Sequence, residues 1–568
     1  MSDNVDSPPD RGPGHSRGPG HSRRDFLALA GVSAAALTLG TGAPAGALTP
    51  GGDRVPADPF QLGVASGDPE PYGVVLWTRL APRPLAEDGH GGMPRRPVDV
   101  HYEVAEDERF TRVVRRGHAV ATSELAHSVH PEVGGLRPGR EYFYRFRAGR
   151  EVSPVGRTRT APAPHQRVER LAFGMASCQA WYHGHFAAYR HLAQEELDLV
   201  FFLGDYVYEY AINSGNLWRQ GARVDPVHDA TVRTLEQYRL RYALFKTDPH
   251  LRAAHARAPW VTTWDDHEVQ NNYAAAHSQY GISVEDFERQ RAVAYRAYYE
   301  HLPLRRGSLP HGPDLRLYRR FGWGALADVH VLDTRQYRDD FPTDSSAGGE
   351  HTDPRRSILG AAQERWLYSG LRRSRATWNL LAQQVVMAQI DRDTGPGRTF
   401  SMDQWDGFTA NRDRLFAAVR RHGVDNLVVL TGDIHRHVAA ELKADFTDPH
   451  SPTIGTELVV TSVGSDGDGA PTDRYTELWL ANPHVKLYDG RRGYVHGELT
   501  PERLTSRFRV VDHVERDDRA PVSTVAQFVT EAGRPGLTVD TDPTGSNLSG
   551  PIGASGQSGQ SAHFRSAR

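Results

Sequence analysis

Residues 171–210, LAFGMASCQAWYHGHFAAYRHLAQEELDLVFFLGDYVYEY, constrain the fold more than any other stretch. An apolar run, Leu171–Ala176, leads to Ser177 and Cys178, the single cysteine of 568 residues. Residues 186–196 then place apolar side chains three to four apart, the period of a helix. A second apolar run, Leu199–Leu203, ends in Gly204-Asp205, with Tyr208 three residues on. Strand, helix and strand at this length predict a right-handed βαβ unit. Parallel strands so joined bring their C-terminal ends together, where such sheets bind ligands. Cys178, Asp205 and Tyr208 therefore converge, and a thiol, a carboxylate and a phenol side by side suit a metal.

The rest of the composition narrows the class. One cysteine excludes an internal disulfide framework. A net charge of −3 with scattered arginines provides no nucleic-acid-binding face. Residues 1–47 have the form of a twin-arginine signal peptide: Arg23-Arg24, then Phe26-Leu27, an Ala/Gly-rich stretch to Leu39, and A-x-A sites at 43–45 and 45–47. The expected protein is a secreted monomer (extracellular, periplasmic or cell-wall), exported by the twin-arginine translocase, with no stable membrane span. Residues 59–158 read as a small all-β sandwich, with alternating runs at 74–79, 98–104, 113–120 and 142–147. Within it, Leu136 to Tyr144 resembles the fibronectin-type corner in which a tyrosine locks a strand crossover. The Gly/Ser-rich tail, 541–568, is expected to be disordered.

Between 166 and 536, the expected catalytic domain, apolar runs alternate with helical stretches. Further runs at 260–264, 329–332, 378–386, 427–430 and 458–461 join the first two. Most end in polar clusters: Asp265-Asp266-His267-Glu268, Asp333-Thr334-Arg335, Gln383-Gln384 and Gly432-Asp433-Ile434-His435-Arg436. An aspartate at one strand end is often only a turn former. A series of them predicts one rim collecting ligands. Residues 361–371 read as an amphipathic packing helix with Trp366 and Leu367 inward, and 510–511 and 525–529 as final strands, with no C-terminal helix to cover the site.

GDYVYEY, WDDHE and TGDIH, in that order, resemble the metallophosphoesterases and most closely the PhoD-type alkaline phosphatases, relatives of the purple acid phosphatases. The resemblance runs from about residue 59 to 536 and includes the phrase GVASGDP at 63–69. It implies an α/β (α+β) metallophosphoesterase-like layered β-sheet core flanked by helices, preceded by a fibronectin/Ig-like sandwich. Where the wider family begins with Asp-x-His, this chain has Ser177-Cys178-Gln179; Asp266 stands for an asparagine, Gln383-Gln384 for a histidine region, and Gly432-Asp433-Ile434-His435 for Gly-His-x-His. Oxygen donors thus replace imidazoles, which favours a hard cation such as Ca²⁺. A tyrosine, with its pKa near 10, needs a strongly acidic partner to bind as phenolate, which Fe³⁺ supplies. The implied set is Fe³⁺ on Cys178, Asp205, Tyr208 and His435, with Asp205 bridging to one or two Ca²⁺ on Asp433 and Asp266. Asp265, Asn271, Asn272 and Gln383 are further candidates. The expected reaction is hydrolysis of small-molecule or lipid phosphate monoesters or diesters by a metal-bound hydroxide, for phosphate scavenging. His267 either protonates the leaving group, holds the phosphate or serves as an oriented supporting group. Arg335 and Arg436 are either phosphate clamps or structural ion pairs. Trp181, Tyr182, His183 and His185 either line the entrance or simply pack. A phospholipase D-like phosphodiesterase and, from another class, an inactive secreted binding protein are the alternatives.

Overall fold

A computed structural model describes residues 55–342, 349–448 and 450–540. The expected signal peptide (1–47) and tail (541–568) lie outside the described residues.

The βαβ unit forms. Strands Leu171–Ala176 and Leu199–Leu203 pair in parallel, Phe173 opposite Leu199 through Ala176 opposite Phe202. Every residue of both is buried, which is why they read as continuous apolar runs. The helix between them is shorter than 186–196, covering Ala187–Leu192. Beyond it the chain turns into the next strand, where the Asp198 carboxylate accepts from the Ala172 N–H at 2.9 Å.

Two mixed sheets stack face to face. In the first, of 11 strands, Leu171–Ala176, Leu199–Leu203 and Trp260–Thr263 run parallel at the centre. Antiparallel strands Gly493–Leu499, Arg503–Val511, Val522–Glu531 and Arg534–Val539 extend one side. In the second, of 7 strands, Ala327–Val331, Trp378–Ala382, Leu427–Thr431 and Thr453–Val459 run parallel. Period-two alternation sorts the first sheet's side chains. Leu199, Phe201 and Leu203 meet Val329, Leu380 and Val428 between the sheets, whereas Val200 and Phe202 turn to the helices. Helices Leu235–Lys246, Pro249–Arg257 and Val284–His301 cover the first sheet; Gly360–Arg373 and Thr409–His422 pack on the second. The expected 361–371 helix is there, with Leu367 buried and Trp366 half-buried against Tyr318 and His330. Residues 510–511 and 525–529 fall in strands, and among the described residues no helix follows Thr476–Leu480. No described helix is long and apolar enough to cross a membrane.

The N-terminal region is all β apart from one short 3-10 turn, but its two layers have different owners. Val98–Ala105, Val113–Ala121 and Glu141–Ala148 form one sheet with two short strands. The facing layer, Val64–Glu70 and Gly73–Arg79, is the far edge of the 11-stranded sheet, with Gly67 paired in parallel to Trp260. Alternation identifies which face of a strand is buried, not which edge it joins, so the 74–79 run carries no sign of this continuity. The tyrosine corner forms: the Tyr142 hydroxyl accepts from the Arg137 N–H at 2.9 Å.

Candidate metal centre

The strand ends of both sheets meet tightly. A Cβ on Gly432 would lie 2.8 Å from Ser177 Cβ and 2.9 Å from the Leu203 carbonyl, so only glycine lets the two sheets approach here. Gly204, at φ 103°, faces Asp265 just as closely. Cys178, Asp205, Asp433 and His435 all hold left-handed backbones, φ 55°, 60°, 68° and 56°. Such strain at non-glycine residues persists only when the surroundings over-determine it. Here the Cys178 and Gln179 N–H groups donate to Gly204 and Asp205 carbonyls at 3.0 Å, and the Glu268 carboxylate accepts from the backbones of Asp205, Tyr206 and Asp265. Glu268, third in the DHE run, thus holds the loops while its neighbours supply the donors.

Those donors form a continuous chain. Atoms of Cys178, Asp205 and His435 lie within 4.8 Å of one another, as do those of Asp205, Asp266 and His267, and those of Asp265, Asp266 and Asp433. Tyr208 Oη sits 3.1 Å from both Asp205 Oδ2 and His435 Nε2, and accepts from Ser465 Oγ at 2.8 Å. Asp205 and Asp266 each belong to two clusters.

The electrostatics call for cations. Burial pushes the Asp205 and Asp265 carboxyls well above the usual range, and Asp433 up to about 6. Burial and the Asp205 carboxylate do the same to the Cys178 thiol and the Tyr208 phenol. Asp205 Oδ1, Asp265 Oδ2 and Asp266 Oδ1 are buried without a hydrogen-bond partner. Orphaned carboxylate oxygens beside a thiol, a phenol and an imidazole are what a metal would satisfy, so the residues fit one. Against this trend, Asp266 is held down to about 2, since Arg335 and His267 outweigh its burial.

All six expected metal ligands therefore meet, and His267 joins them. Its Nδ1 meets Glu209 Oε2 at 2.8 Å, and although burial disfavours its charge, Asp266, Glu209 and Asp205 raise its pKa well above the ordinary value. Of the two readings open for Arg335, the geometry takes the ion pair. The guanidinium is fully buried, bonded to Asp265 and both oxygens of Asp403, and 3.7 Å from Asp266. It has no face for a substrate. Arg436 is pinned to Asp473 and Tyr488, and its Nη1 donates to the Ile434 and His435 carbonyls. Gln383 is not a ligand: it is buried and spent on Val385, Thr431 and Trp405. Asn271 and Asn272 approach through their backbone N–H groups, which donate to Glu209 and Asp266. Trp181 and Tyr182 are buried, whereas His183 Nδ1 accepts from the Asp466 N–H at 3.1 Å beside His435; His185 is half-buried and its Nε2 lies 3.1 Å from the Gln220 carbonyl.

Three carboxylates of the site are not among the residues its motifs single out. Glu209 supports His267, Asp466 Oδ2 meets His435 Nδ1 at 2.8 Å, and Asp403 neutralises Arg335. Glu209 has a signal, sitting beside Tyr208 in GDYVYEY; Asp403 has none, being a lone acid in a loop.

Stacked mixed sheets with acids, a thiol, a phenol and histidines gathered at their strand ends define a layered α/β protein with a candidate metal centre. Residues 46–162 match the profile "PhoD-like phosphatase, N-terminal domain" and 173–508 match "PhoD-like phosphatase". The chain belongs to the PhoD-like phosphatase family. It is 47% identical over 483 residues to alkaline phosphatase D of Bacillus subtilis (strain 168), covering 84% of this chain and 82% of that protein. A solved structure titled "Structure of PhoD" superposes with a TM-score of 0.81 at 46% identity, covering 86% of this chain and 93% of that one. This chain is accordingly a phosphoester hydrolase of the alkaline phosphatase and phosphodiesterase type.

Proposed function

We propose that the enzyme hydrolyses phosphate monoesters or diesters with Fe³⁺ held by Cys178, Asp205, Tyr208 and His435. Asp266 and Asp433, with Asp265 and Asp205 close by, would hold Ca²⁺. The observation that carries this reading is the trio of buried carboxylate oxygens without hydrogen-bond partners on Asp205, Asp265 and Asp266, next to a thiol and a phenol whose protons burial retains. Bound cations supply neutralisation of the phosphate oxygens and acidification of a water. The chain's own residues do the rest. Glu209 takes the proton-bearing Nδ1 of His267, which leaves Nε2 to deliver a proton to the departing oxygen. Asp466 orients His435 in the same way. Arg436 holds the Ile434–His435 turn and adds positive charge to the rim. Arg335 keeps three buried aspartates, Asp265, Asp266 and Asp403, compatible with one another.

The test is metal exchange. Enzyme stripped with EGTA should lose its activity and regain it with Ca²⁺ better than with Zn²⁺. The isolated protein should contain iron and absorb visible light. Full recovery with Zn²⁺ alone would overturn the calcium assignment, and a colourless, iron-free, fully active protein the iron assignment. Assays on 4-nitrophenyl phosphate, bis-4-nitrophenyl phosphate and phosphatidylcholine separate monoesters, diesters and phospholipids.

Export by the twin-arginine route for phosphate scavenging belongs to the same proposal. It rests on Arg23-Arg24 and on the family's N-terminal domain beginning at residue 46, where the signal is expected to end. Replacing both arginines with lysine should trap precursor in the cytoplasm; undiminished secretion would refute the route.

A further inference from the structure

Trp218 is 40% exposed, yet the loop that carries it is firmly held. The Trp218 and Arg219 N–H groups both donate to the Tyr182 carbonyl, at 2.8 and 3.1 Å, and the Gln220 N–H donates to Glu515 at 2.9 Å. The Arg219 guanidinium pairs with Asp248 at 2.7 Å and covers the Trp181 ring. Single exposed apolar residues are ordinary, but a large aromatic ring on an immobilised loop is a preformed contact surface.

Its neighbours place that surface at the metal centre. The His183 ring lies flat on the indole, with centroids 4.1 Å apart and planes 15° apart. His183 Nδ1 accepts from the Asp466 N–H, and the Asp466 carboxylate meets His435. Gly467 follows; a Cβ there would stand 3.4 Å from Trp218 Cε3, so the loop carrying Asp466 passes directly against the indole. Only His183 and Asp466 separate Trp218 from a proposed metal ligand.

We propose that Trp218, backed by His183, is a stacking subsite for a planar aromatic ring carried on the leaving alcohol of the phosphoester. The proposal rests on the reading of the Cys178–His435 cluster as the centre where the phosphate sits. A base or aryl ring stacked on an aromatic side chain typically contributes about ten-fold or more in affinity.

Adenosine 5′-monophosphate and ribose 5-phosphate share a primary alkoxide leaving group and differ in the base alone. For Trp218→Ala the ratio of their kcat/KM values should fall about ten-fold, chiefly through KM of the nucleotide. Trp218→Phe should keep most of the ratio, and Trp218→Leu, apolar but not planar, should lose it. In the unaltered enzyme, adenosine should inhibit competitively and ribose should not. An unchanged ratio in Trp218→Ala, or Leu serving as well as Phe, would overturn the subsite. If only the metal assignment were wrong, metal analysis would reveal it while the ratio still fell.

Discussion

The two halves of the ligand cluster are built at equivalent strand ends but balanced in opposite ways. Around Tyr208 the donors are a thiol, a phenol, an imidazole and one shared carboxylate, and burial keeps the protons on the first two. Around Asp433 the donors are carboxylates, with Arg335 buried among Asp265, Asp266 and Asp403. One half must lose a thiol and a phenol proton to bind a metal; the other offers only carboxyl groups, with Asp266 held charged and a built-in cation beside them. That contrast suits a strongly acidic ion on one side and a hard, exchangeable ion on the other.

The largest effect should come from the first half. Cys178→Ala and Tyr208→Phe should each lower turnover by roughly a thousand-fold, because charge stabilisation at such a centre contributes several kcal/mol. Metal analysis and spectra of both variants locate the loss: iron should fall and the visible band shift or vanish, while calcium content changes less. If Cys178 were only a packing residue, Cys178→Ala would cost about 1 kcal/mol of stability and spare the rate.

The second half is probed through its arginine. Arg335→Met leaves buried aspartates without their counter-charge, and breaking a buried pair from one side costs about 3–5 kcal/mol. Thermal unfolding in EGTA should show that loss, and added Ca²⁺ should recover part of it, since the ion and the guanidinium answer the same charges. A variant as stable as the parent in EGTA would mean that Arg335 and the calcium half are not coupled.

Much of this contrast is legible in the chain itself. Cys178, Asp205, Tyr208, Asp266, Asp433 and His435 each follow an apolar run that forms a buried strand, and parallel strands force such residues onto one rim. What local pattern cannot carry is pairing across distance. Asp403 lies 68 residues from Arg335, in a loop with no periodicity of its own. Gln383 and Gln384 occupy a strand end like the ligands do, yet their amides satisfy Thr431, Thr263, Thr334 and backbone groups in the interior. Strand-end position identifies a polar residue as interior-facing; only the surrounding hydrogen bonds decide between ligand and strut. The hairpin at Val64–Glu70 and Gly73–Arg79 is hidden for a related reason, its hydrophobic faces being plain and its edge partner not.

Acidity separates the halves more gently. Without metal, Asp433 has a folded pKa near 6, above its unfolded value of about 4. The native state therefore binds that proton more tightly than the unfolded chain. Its stabilisation is fully present below about pH 4 and is lost as pH rises through about 6. Metal-free protein should accordingly melt at a lower temperature at pH 7 than at pH 5 if this half dominates the titration, while Ca²⁺, replacing the proton, should flatten the profile. Cys178 and Tyr208, pushed up from already high values, stay protonated across that window and add no slope, whereas Asp205 and Asp265, also pushed up by burial, add slope of the same sign as Asp433. Melting curves at several pH values, with EGTA or Ca²⁺, check the difference; a parallel shift at every pH would deny it.

The smallest effect concerns His267, which stands between the halves. Glu209, 1% exposed, accepts from the Asn271 N–H at 2.8 Å with one oxygen and takes His267 Nδ1 with the other, so the imidazole cannot turn. Glu209→Gln keeps the volume and a hydrogen bond but removes the charge that favours a protonated ring. An acid matters most when the departing oxygen is basic. The variant should therefore lose about ten-fold in kcat on alkyl esters, about 1.4 kcal/mol, and markedly less on 4-nitrophenyl phosphate, whose leaving group needs little help. Iron and calcium contents should match the parent, which separates this role from a ligand's. Equal losses on both esters with metals intact would assign the Glu209–His267 pair to holding phosphate instead of moving a proton.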